Sequence, residues 1–60
     1  MHRINKEDMK MIEFEIVATL VSGEIIEEIV WATSEVGARD AFFLTQPDHL
    51  QFSSIEVWKL

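Results

Sequence analysis

The sequence predicts an α+β fold: a ββαβ chain whose three-stranded antiparallel sheet, in the order 2-1-3, carries one helix on one face. Three observations predict it. Apolar residues alternate from Ile12 to Leu20. Ser22-Gly23 interrupts that run, and a second strand-like stretch, Glu24 to Trp31, follows. A segment opened by Ala32-Thr33-Ser34 and closed by Pro47 then leads into a last strand-like stretch, Phe52 to Leu60.

Residues 1–10 are polar and without a clean period, so they read as a flexible N-terminal arm before a single domain over residues 11–60. A start at Met11, or a short helical turn around Glu7 to Lys10, are the alternatives. In the first strand, Ile12, Phe14, Ile16, Ala18 and Leu20 share one face at period two; Glu13, Glu15, Val17, Thr19 and Val21 share the other. Gly23 supplies the positive φ of a tight hairpin. The loop length decides the faces of the second strand, because a slip of one residue exchanges them. A two-residue loop, Ser22-Gly23, puts Ile25, Glu27, Ile29 and Trp31 with Phe14. A three-residue loop, Ser22-Gly23-Glu24, puts Ile26, Glu28, Val30 and Ala32 there instead. The second is preferred, since a small Ala32 fits beside the helix where Trp31 would not. Either way one glutamate lies on the core side, toward the sheet edge.

Ser34 is the expected N-cap, with Thr33 as second choice, and Glu35 suits the positive end of the helix dipole. Gly37 costs about 1 kcal/mol against alanine, so that turn is either weak or closely packed. Ala38, Ala41, Phe42 and Thr45 form the inward face; Arg39, Asp40 and Phe43 point elsewhere. Pro47 drives Gln46 out of the helical region. In the last strand Ile55 and Val57 alternate against Ser54, Glu56 and Trp58, so Phe14, Ile16, Phe42 and Val57 are the expected core. A right-handed crossover through the helix sets the last strand beside the first, which gives the 2-1-3 order and leaves one sheet face open.

Composition narrows the function. A chain of 60 residues is one small domain, of the size that buries only ~60% of its unfolded surface. Without cysteine it has neither disulfide nor thiolate metal site, which fits a reducing cytoplasm. The longest apolar run, Ile16 to Val21 broken by Thr19, falls far short of the ~20 residues of a bilayer span. No basic segment followed by an apolar one opens the chain, so neither membrane nor secretory targeting is expected. Residues 11–60 set nine acids against Arg39 and Lys59, a balance of −7, while the first ten residues stand at +1. Such a body repels nucleic-acid phosphates and favours a basic partner surface, unless the charge serves solubility alone.

Catalytic patterns are missing. His2 and His49 have no metal-ligand spacing to another donor. Asp48-His49 are neighbours with no nucleophile placed beside them. Glu27-Glu28 resemble paired carboxylates, yet successive strand residues face opposite sides. Ser53-Ser54 have no adjacent base, and two glycines make no phosphate loop. A non-enzymatic protein without cofactor or metal is expected.

The open face is the candidate binding surface, through Glu13, Glu15, Val17, Ile29, Trp31, Glu56 and Trp58. Apolar anchors within a charged rim have the composition of a binding hot spot. The competing reading puts both tryptophans in the core; a further one stacks two copies face to face as a homodimer.

The stretch Val30-Trp31-Ala32-Thr33-Ser34, continuing to Ala38, lies between a hairpin and Ile55-Glu56-Val57. In this pattern, over about residues 11–58, the chain resembles the small early inhibitors of bacterial RNA polymerase made by T7-like phages. Those proteins are similarly short and acidic and share the ββαβ layout. The pattern is also similar to that of archaeal ribosomal proteins of the LX class, which are basic where this body is acidic. The resemblance to the inhibitors implies a phage-encoded protein that docks on a larger host protein in the bacterial cytoplasm, with RNA polymerase the leading target. The inhibitors use arginines on their last strand, whereas here that strand offers Glu56, Trp58 and Lys59. What the resemblance implies is therefore the type of protein rather than the same polymerase contact. A self-associating accessory protein and an acidic DNA mimic are the alternatives.

Overall fold

A computed structural model describes residues 10–60. The arm expected over residues 1–10 thus lies, apart from Lys10, outside the described residues. The elements run β1 (Ile12–Leu20), β2 (Ile25–Ala32), α1 (Glu35–Leu44) and β3 (Phe52–Lys59). Their sheet has the order β2-β1-β3, with both neighbours antiparallel to β1, as expected. Among the described residues no helix is long and apolar enough to cross a membrane.

The hairpin settles the register. Phe14 pairs with Val30, Ile16 with Glu28 and Ala18 with Ile26, so the even residues of β2 share the helix side with Phe14. The loop itself differs from expectation. The Leu20 N–H donates to the Glu24 carbonyl at 2.7 Å and the Gly23 N–H to the Leu20 carbonyl at 2.8 Å, closing a loop of Val21, Ser22 and Gly23. Gly23 takes φ +98°, the left-handed residue that completes a three-residue hairpin turn. Pairing therefore sits two residues away from the expected Ser22-Gly23-Glu24 loop. Two residues are one full strand period, so every face is preserved. Val21, expected on the open face, lies in this exposed turn instead.

One buried cluster joins Phe14, Ile16, Ala18 and Ala32 to Ala38 and Phe42 of the helix. Val57, expected within the core, packs half-buried against its rim with Ile55. The Ser34 side chain caps α1 by accepting from the Gly37 N–H at 3.1 Å. Gly37 proves closely packed: a Cβ there would stand 3.3 Å from the Ser34 hydroxyl and 3.6 Å from the Ala32 Cβ. Thr45, expected on the inward face, is exposed, and its hydroxyl turns back to donate to the Phe42 carbonyl at 2.8 Å. The helix-side glutamate is Glu28, half-buried on the edge strand, where its carboxylate accepts from Gln46 Nε2 at 2.7 Å.

Two features of the helix side depart from the sequence reading. Phe43 does not simply point away; it meets Phe42 and Phe52 edge-on, with ring centroids 5.9 and 5.8 Å apart. Phe52 reaches that cluster because of a bulge. Thr19 pairs with Ser54 but Leu20 with Phe52, which leaves Ser53 as an extra residue. Strict alternation would put Phe52 with Ser54, Glu56 and Trp58. The extra residue returns it to the helix side, 5.7 Å from Phe42. The Ser53 hydroxyl donates to the Thr19 carbonyl at 3.2 Å across the bulge.

Candidate functional site

The sheet face away from the helix is built in rows by the two registers. Glu13 of β1 lies beside Trp31. Glu15 lies between Ile29 on one side and Trp58 on the other. Val17 lies between Glu27 and Glu56, and Thr19 between Ile25 and Ser54. The structure thus brings together on one face all seven residues singled out from sequence: Glu13, Glu15, Val17, Ile29, Trp31, Glu56 and Trp58. Thr19, Ile25, Glu27 and Ser54 complete it. Directly opposed residues of antiparallel strands have Cβ atoms ~5 Å apart, so the side chains of each row are within reach of one another.

Burial separates this face from the other. Trp31 and Trp58 are each 57% exposed and Ile29 is 49% exposed. Neither indole belongs to the core, which is filled by Phe14, Phe42 and Ile16. A core of this size has no space for two indoles once two phenylalanines occupy it, and the period-two pattern directs both tryptophans outward. The central-strand residues Glu13, Glu15 and Val17 are half-buried between their flanking neighbours. The Trp58 indole N–H donates to Glu56 Oε1 at 3.1 Å, two residues back along the same strand. This bond satisfies the indole's only donor and holds the ring against the carboxylate, leaving its apolar surface outward.

The electrostatics are one-signed. Glu13, Glu15, Glu27 and Glu56 share the face, and none of the strand residues beside them is basic. Lys59 pairs with Phe14 and lies on the helix side. The face therefore presents apolar anchors inside a negative field.

Glu27 and Glu28, adjacent in sequence, are separated onto opposite faces, with Glu28 engaged by Gln46. Among the described residues no group of three His, Asp or Glu side chains could hold a metal ion. His49 lines an open hollow at the hairpin end with Leu20, Val21, Ser22, Leu50 and Gln51. A second open hollow lies against Arg39, Phe43, Phe52 and Ile55. Sequence reasoning missed this aromatic side of the molecule, because Phe52 reaches it only through the bulge. The adjacency of Phe42 and Phe43 was the available signal.

Comparison of the chain with protein-family models, with curated proteins and with solved structures gave no match.

Proposed function

We propose that this protein is a non-enzymatic binding module that docks through its open sheet face on a larger protein with a basic surface. One observation carries the reading: Trp31, Ile29 and Trp58 stand half-exposed or more on the same face as four carboxylates. Large apolar groups gathered on one face and rimmed by charge mark an interaction surface, and tryptophans are the residues most enriched among binding hot spots. The carboxylates select the partner's sign and speed its approach. They also disfavour two copies stacked face to face, since each face would meet its own charge. Interleaving with isoleucine, valine and tryptophan makes the face a poor copy of a phosphate backbone, which favours apolar docking over DNA mimicry.

The likeness in pattern to small phage inhibitors makes bacterial RNA polymerase the first target to test, with the bacterial cytoplasm as the place of action. The experiment captures partners from bacterial lysate on the wild-type protein and on Trp58→Ala, then titrates what only the wild type retains. Trp58→Ala is expected to stay folded by circular dichroism and to lose about 2 kcal/mol or more of binding free energy, the scale of a hot-spot residue. Replacing Glu15 and Glu56 by Gln should mainly slow association, because rim charge acts on encounter. Affinity that collapses steeply with salt would instead favour the DNA mimic. Equal retention of the same partner by both proteins would remove the open face from the interface.

A further inference from the structure

The two edges of the sheet are built differently. The alternation of hydrogen bonds follows from the hairpin: Leu20 faces Glu24, so Ile26, Glu28, Val30 and Ala32 direct their backbone groups toward β1. Ile25, Glu27, Ile29 and Trp31 consequently direct their N–H and C=O groups outward along a free edge. This edge is eight residues long and carries no proline, lysine or bulge. Those are among the devices by which natural sheets block edge-to-edge pairing; of the others, charged side chains, β2 carries Glu27 and Glu28, with Glu28 turned to the helix side and held by Gln46. The opposite edge has two of them. β3 is interrupted by the Ser53 bulge and ends in Lys59.

We propose that β2 pairs with β2 of a second copy about a twofold axis at Ile29, making one continuous antiparallel sheet of six strands. The register is self-complementary. With Ile29 opposite its own copy, Glu27 faces Trp31 of the second copy and Glu28 faces its Val30. No two carboxylates are opposed, and outward-directed residues meet outward-directed residues, so about six backbone hydrogen bonds form. Glu27 beside Trp31 repeats the pairing of Glu13 with Trp31 inside each chain. A shift of two residues toward the hairpin turn would set Glu28 against Glu28, a like-charge pair that destabilises, and a shift of two the other way would leave only about four backbone hydrogen bonds.

Both helices then lie on one side of the joint sheet. Ala38 and Phe42 pack on β1's Phe14, Ile16 and Ala18 and on β2's Ala32, with Val30 and Val57 at the rim, so each helix lies over β1 and β2 of its own sheet. Because the β3 edge is blocked, pairing closes at two copies and does not propagate. The open faces become one surface bearing four tryptophans, so the dimer would offer its partner two copies of the same site. The pairing itself rests on the β2 edge and not on the docking role of that face.

Sedimentation equilibrium tests the pairing, with circular dichroism to check folding. Proline at position 29 removes an N–H that points out of the intramolecular ladder, so Ile29→Pro leaves the hairpin bonds intact. Ile29→Lys sets two ammonium groups against each other at the axis. Wild type is expected to dimerise, each variant to raise the dimer dissociation constant at least tenfold, and Trp58→Ala to leave it unchanged. Should Ile29→Pro fail to fold, the dissociation constant of Ile29→Lys is the deciding value. A wild type that stays monomeric up to ~1 mM overturns the proposal, as does a dimer that survives at position 29 but is lost with Trp58→Ala. The latter would mean faces stacked rather than edges paired.

Discussion

Glu28 is the residue where pattern and packing conflict. Period two puts a carboxylate on the helix side of β2, and Gln46 answers it with a 2.7 Å hydrogen bond from just beyond the helix. A hydrogen bond to a charged group contributes about 1.5–3 kcal/mol, and partial exposure places this one at the lower end. Gln46→Ala should therefore destabilise the fold by about 1.5 kcal/mol, read as a lower urea midpoint with unchanged slope. An unchanged midpoint would mean that water serves Glu28 equally well. The need for a glutamate on this side was legible in the sequence. Its partner was not, because Gln46 lies beyond the last helical turn, where no periodicity ties it to β2. Trp31 and Trp58 were legible for the opposite reason. Their positions follow from strand parity alone, fixed for Trp31 by Ala32 beside the helix and for Trp58 by the inward pair Ile55 and Val57.

At the level of elements, the helix was legible because Ser34 and Pro47 bracket it in the sequence. Both hairpin faces were legible because a single favoured parity determines them. The loop was not, since registers two residues apart present identical hydrophobic faces and only local hydrogen bonds at Leu20 and Gly23 distinguish them. The bulge in β3 was equally hidden, for an extra residue leaves no mark in an alternation it interrupts. Phe52 offers the test. If β3 ran without a bulge, Phe52 would share the exposed side of Trp58, and its truncation would cost within about 0.5 kcal/mol, as at other surface sites. With the bulge it packs on Phe42 and Phe43, so Phe52→Ala should cost about 2 kcal/mol in chemical denaturation, less than for a fully buried phenylalanine.

For the molecule as a whole, one asymmetry governs the functional account. A small core occupies one side of the sheet, and the largest apolar side chains, the two tryptophans, stand on the other. Domains this small have little stability to spare, rarely above ~3–5 kcal/mol, so apolar residues kept out of the core weigh heavily. Their grouping with four glutamates on one face is what a docking surface needs and what folding alone does not require. The chain has only these two tryptophans, so fluorine NMR of the protein labelled with 5-fluorotryptophan gives one resonance for each. The spectrum is recorded free and then with the partner retained by wild type but not by Trp58→Ala. Two resonances with the solvent response of exposed indoles in the free protein, both shifting and losing that response at saturation, are the result this account predicts. Resonances already shielded from solvent in the free protein, or unchanged when the partner saturates, would contradict it.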